Sequence, residues 1–223
     1  VLLTDIILKI MSKASNPFYS QHEERLNVIT HAFGLLLSLI ALPVLIVKSF
    51  DYDGFWKPAS LIIYGISLIV LYAASTWYHS AKDPQLRRKL NIFDHAAIYV
   101  LIAGTYSPFT MITLDGSLGW IVFGTTWTFA VVGVILKLFF TGRFDKLSTV
   151  MYLLMGWQIV FVINTLMENI ASQGLQLLMA GGVFYSVGAV FYSIKKINYN
   201  HAIFHVFVVM GSICHFLTVF YYL

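Results

Sequence analysis

Four ionisable residues near the ends of apolar runs, His79, Asp94, His201 and His205, are the best equipped in this chain for chemistry. Hydrocarbon disfavours ionisable side chains, so those found within it generally pair, bind something or react. Three imidazoles and one carboxylate also make a ligand set suited to a zinc-like metal. His201 and His205 stand four residues apart, which stacks them on one helix face where both can reach one ion. Ser75 and His79 share that spacing, so a hydroxyl sits one turn from the imidazole. The run His201-Ala202-Ile203-Phe204-His205 lacks the glutamate of an H-E-x-x-H helix, leaving Asp94 as the candidate general base. Three histidines plus a water is the open catalytic arrangement of zinc, which brings the water's pKa to about 7. Plainer readings stand beside this one. A polar residue near a helix end can simply snorkel to the interface, and a helical serine can bond the carbonyl one turn back.

The elements that must position these residues are transmembrane. Of 223 residues, 59% are hydrophobic and 11% charged, with a mean hydropathy of +0.79, whereas soluble domains carry about 25% charged residues. Runs of about 20 apolar residues cross a bilayer. Seven occur, near 28–48, 58–80, 92–113, 117–139, 147–167, 174–194 and 201–223. Turn signals separate them: Asp51-Tyr52-Asp53-Gly54, Asp83-Pro84, Asp115-Gly116, Thr141-Gly142 and Asn198-Tyr199-Asn200. The fold expected is an all-α polytopic bundle of seven transmembrane helices over 28–223, preceded by an N-terminal cytoplasmic or interfacial segment over 1–27. Val1 to Met11 is short for a span and reads as an interfacial helix. The single cysteine, Cys214, allows no internal disulfide, and no motif suggests nucleic acid as the reason for the basic pI near 9.1.

Basic residues orient the bundle. Lys9, Lys13 and Arg25, then Lys82, Arg87, Arg88 and Lys89, then Lys137, Arg143 and Lys146, and finally Lys195 and Lys196 share one side. The other side holds only Lys48 and Lys57. Positive charge favours the cytoplasm, so the N-terminus is expected inside and the C-terminus outside, opposite to G-protein-coupled receptors. With this topology His79 falls in the last turn of the second span and Asp94 in the first turn of the third. His201 and His205 fall in the first two turns of the seventh. All four then share one depth in the cytoplasmic leaflet.

Other polar residues have lesser roles. His95 points about 100° away from Asp94 and reads as a hydrogen-bonding partner in the bundle. His31 lies near the start of the first span, either supporting the site or packing against a carbonyl. His215 stands about 21 Å along the axis from His201 and reads as structural. Gly182 and Ser186 form a small-xxx-small packing pair, and Trp56, Trp120 and Tyr221 fit interfacial belts.

Ser75-Thr76-Trp77-Tyr78-His79, Asp94-His95-Ala96-Ala97-Ile98 with Ile102-Ala103-Gly104-Thr105-Tyr106-Ser107-Pro108, and His201-Ala202-Ile203-Phe204-His205 resemble the bacterial hemolysin III proteins, within the progestin and adipoQ receptor family. The stretch from Glu23-Glu24-Arg25-Leu26-Asn27 to His31 is similar too. The resemblance implies a seven-helix bundle with a cytoplasmic N-terminus and zinc held by His79, His201 and His205. It further implies Asp94 acting through water with Ser75 nearby. The wider superfamily includes ceramidases, which implies hydrolysis of a lipid amide or ester bond and a part in membrane lipid homeostasis.

Three functions are in play. The first is a zinc-dependent hydrolase in the plasma membrane whose lipid substrate enters between helices, with Asp94 as base and Ser75 steadying the oxyanion. The second is a receptor or sensor in which zinc is structural. The third is a haemolysin-type pore former, against which stands the lack of a continuous polar stripe along the spans.

Overall fold

The computed structural model describes residues 19–114, 116–140 and 145–223, and among them it is almost wholly helical, with no strand. The interfacial helix expected over 1–11 and the Thr141-Gly142 turn lie outside these residues. Seven helical stretches are long and apolar enough to cross a bilayer. The first four are α1 (Gln21–Ser49), α2 (Trp56–Ser80), α3 (Pro84–Pro108, prolonged by a π-helical turn Phe109–Leu114) and α4 (Gly116–Phe140). The fifth is composite: α5 (Asp145–Gly156), a 3₁₀ segment Trp157–Val162 and α6 (Ile163–Asn169). The last two are α7 (Ser172–Ser193) and α8 (Asn200–Tyr222).

Helices α1 and α3 begin well ahead of the apolar runs at 28 and 92, because both are capped. Ser20 Oγ accepts the Glu23 N–H at 3.2 Å. Asp83 Oδ1 accepts from the N–H groups of Gln85 and Leu86 at 3.1 and 2.7 Å, with Pro84 opening the helix. Asp83-Pro84 is therefore a helix cap rather than only a turn, and Asp94 lies in the third turn of α3 instead of its first. The fifth span departs further from expectation. The Tyr106 hydroxyl donates to the Gly156 carbonyl and accepts the Ile159 N–H, both at 2.8 Å, where α5 gives way to the 3₁₀ segment. A side chain thus satisfies backbone groups that a continuous helix would pair internally, as hydrocarbon demands.

Helix α1 buries Asn27, His31, Gly34, Ser38, Ala41 and Leu45, at alternating steps of four and three, so one straight seam faces the bundle. Its neighbours are α2 and α8. Helix α3 is the central element: 72% of its apolar stretch is buried, against 22% in the fourth, fifth and sixth spans. Without a hydrophobic drive in lipid, close approach between helices depends on small residues. A Cβ on Gly104 would meet Ser67 of α2 at 2.2 Å, and one on Gly181 would meet the His215 ring of α8 at 2.2 Å. The α7–α8 contact thus turns on Gly181, whereas Gly182 and Ser186 face Trp157, whose Nε1 donates to Ser186 Oγ at 2.9 Å. Large apolar side chains such as Phe161, Phe139 and Val47 cover the exterior, with Trp56 and Trp120 in edge contact at one end.

Candidate metal centre

His79 ends α2, and His201 and His205 begin α8, so two helices must meet at their ends for the three to converge. The turn before α8 does much of this. Tyr199 adopts a left-handed conformation (φ 59°), and Asn200 Nδ2 donates to the Tyr192 carbonyl at 3.0 Å, folding α8 back against the last turn of α7. The result is a buried triangle. One ring nitrogen from each of His79, His201 and His205 lies within 4.8 Å of the others, and the Nε2 atoms of His79 and His201 are 3.1 Å apart.

The donor set fits a metal ion. His79 Nδ1 lies 2.8 Å from the Glu24 carboxylate, and His205 Nδ1 lies 3.3 Å from the Asn27 carbonyl. Both acceptors call for a proton on Nδ1 and so leave Nε2 with its lone pair. His79 Nε2 then faces His201 Nε2 across 3.1 Å, so either a cation or a proton carried on His201 Nε2 must lie between the two nitrogens. Nitrogens bound at 2.0–2.1 Å to a tetrahedral zinc lie roughly 3.3 Å apart, close to the 3.1 Å between the His79 and His201 nitrogens. These three histidines can hold a metal ion.

A cavity of about 150 Å³ opens beside the triangle, lined mainly by α3, α5, α7 and α8, with His31 of α1, Leu71 of α2 and Trp157 of the 3₁₀ segment. Asp94, His201 and His205 line one end and His215 the other, with Ile98, Leu101, Leu153, Phe204 and Val208 among the walls between. Fourteen residues of α8 separate His201 from His215, about 21 Å of helix. One end of this cavity is polar and most of its length is greasy.

Asp94 is buried in the cavity wall but outside the ligand triangle. Ser75 is wholly buried, and its hydroxyl has no hydrogen-bond partner, so the bond to the preceding turn is not formed. His95 Nδ1 donates to the Asn91 carbonyl one turn back in its own helix at 2.8 Å, rather than to a neighbouring helix. His31 stacks on His205 rather than on a carbonyl, and neither of its nitrogens is hydrogen-bonded. His215 is held by the Leu178 carbonyl at 3.1 Å, remote from the triangle yet within the same cavity.

Other residues around the centre escape a reading by spacing. Tyr19 stacks on His201 with centroids 4.8 Å apart, and burial pushes its phenol far up. Its N–H donates to Glu24 Oε1 at 3.0 Å, and the same oxygen takes Arg87 Nη2. Arg87 is 1% exposed and lies over the Tyr78 ring. The available signal was the Ser20-x-x-Glu23 capping box, which marks a helix start at Gln21 and so carries Glu24 and Asn27 into the bundle.

Residues 19–216 match the model of the Haemolysin-III related family. Hemolysin-3 of Bacillus cereus is 45% identical over 200 residues, covering 90% of this chain and 91% of that protein. The Hemolysin-3 homolog of Bacillus subtilis (strain 168) is 44% identical over 200 residues, at 90% and 94% coverage. The human monocyte to macrophage differentiation factor is 31% identical over 208 residues, at 91% and 85%. No solved structure matches the chain. The seven spans, the histidine triangle and these relatives agree, and the chain belongs to the hemolysin III family, within the progestin and adipoQ receptor family.

Proposed function

We propose that this protein is a zinc-dependent hydrolase of amide or ester bonds in membrane lipids, acting from the cytoplasmic leaflet of the plasma membrane and contributing to lipid homeostasis. The observation that carries the reading is the meeting of a three-histidine triangle and a buried carboxylate at one end of a long apolar cavity. When bound, zinc supplies Lewis acidity to the carbonyl and to the attacking water. The apolar walls hold an acyl chain with its carbonyl toward the histidines and keep bulk water away. The Asp94 carboxylate takes a proton from the attacking water and returns it to the leaving nitrogen or oxygen. The Ser75 hydroxyl, with its donor unspent, steadies the negative charge that develops on the carbonyl oxygen. The name of the Bacillus cereus relative, Hemolysin-3, speaks of lysis, and loss of lipid integrity is one route to lysis that needs no pore.

A structural role for zinc in a receptor-like protein is favoured by one feature: the ligands come from the ends of α2 and α8, with α1 supplying acceptors to two of them. Asp94→Asn separates the readings. In detergent-purified protein it should retain zinc by elemental analysis while hydrolysis of long-chain acyl amides or esters falls by about 10²–10⁴-fold. A wild-type protein that holds zinc but turns over none of these substrates defeats the hydrolase and leaves the structural role.

A further inference from the structure

We propose that Glu24 is a positioning residue of the metal centre, holding His79 with Nε2 turned to the ion, and that Arg87 anchors Glu24 in this role. The assignment rests on the metal reading above. Glu24 lies in the first turn of α1, its side chain 14% exposed, and its two oxygens have separate duties. Oε2 lies 2.8 Å from His79 Nδ1. Oε1 receives the Arg87 guanidinium and the Tyr19 N–H. A carboxylate behind a ligating imidazole fixes its tautomer and orientation and strengthens it as a donor.

Arg87 explains why the carboxylate stays in place. Its Nη1 donates to the Tyr78 and Ala81 carbonyls at 3.2 and 3.4 Å, where α2 ends and its last carbonyls run short of backbone donors. Its Nη2 reaches Glu24. The guanidinium therefore braces the turn that carries His79 and the carboxylate that holds the His79 ring. The ligand's backbone and its ring are fixed by one residue pair. An arginine and a glutamate could satisfy each other without the histidine, yet Oε2 is given to the imidazole.

The test uses the full chain in detergent, with zinc affinity measured by competition against a chromophoric chelator and thermal stability measured on metal-free protein. Glu24→Ala should weaken zinc by about 10–100-fold. Glu24→Gln, which keeps an acceptor oxygen, should weaken it less. Arg87→Ala should weaken zinc in the same direction. If Glu24→Ala does not fold, the near-isosteric Glu24→Gln decides, and wild-type affinity there overturns the proposal. Wild-type affinity in both Glu24 variants, with only the metal-free stability lowered, makes Glu24 a helix tie and overturns the proposal while sparing the metal centre. A wild-type protein that binds no zinc overturns both.

Discussion

His31 lies flat on His205, their ring centroids 3.5 Å apart and their planes 11° from parallel. The contact restrains the ligand ring from the α1 side, while Tyr72 meets His31 edge-on at 5.1 Å. The two His31 nitrogens have no hydrogen-bond partner, so flat packing is what this residue contributes there. His31→Phe keeps that packing and removes an unsatisfied polar group, so metal-free stability should be unchanged or higher. His31→Ala opens a void and should cost about 2–3 kcal/mol. Thermal unfolding of the two variants in detergent checks the pair; a Phe variant as unstable as Ala would show that the imidazole, not its shape, matters.

Metal removal has a predictable size. Zinc at 100 times its dissociation constant stabilises the folded state by about 2.7 kcal/mol, so stripping it should lower the melting temperature by roughly 5–10 °C. His79→Ala, His201→Ala and His205→Ala should each abolish the zinc-dependent rise. A titration of melting temperature against free zinc reads this directly, and an undiminished rise in all three variants would place the ion elsewhere.

Tyr106 supports the break in the fifth span through two bonds from one hydroxyl. Tyr106→Phe leaves the Gly156 carbonyl and the Ile159 N–H without that partner inside the bundle, which should cost about 1–3 kcal/mol. Hydrogen exchange at the Ile159 amide is the sensitive measurement: it should accelerate in the variant far more than amides of α3.

Legibility in the sequence followed helical periodicity. Four-residue spacing pairs His201 with His205, and the apolar runs put His79 at a helix end, so the three histidines are legible in the sequence alone. The seven spans followed from apolar length. What failed to appear was whatever depends on contacts between helices. Glu24 and Asn27 fall in the expected cytoplasmic or interfacial segment over 1–27, because nothing local says that the start of α1 lies against the end of α2. The apolar run alone puts Asp94 too near the start of α3, because a polar, capped helix runs beyond its apolar stretch. The 3₁₀ segment after Gly156 lies within an apolar run, and its supporting hydroxyl comes from a residue fifty positions earlier.

Arg87 leads two lives. While the chain is being inserted, no fold exists to bring Glu24 to it, and it is one of three consecutive cations, Arg87-Arg88-Lys89, of the kind that retain a loop on one side of a membrane. In the finished bundle it is buried against a carboxylate, while Arg88 and Lys89 remain exposed. Lysine at 87 would serve the translocation machinery equally well, since only charge is counted there. It would fail the folded protein, which uses the planar fork to reach the carbonyls and the carboxylate together. A single codon here answers first to topogenesis and then to architecture, and only the second demand distinguishes the two cations.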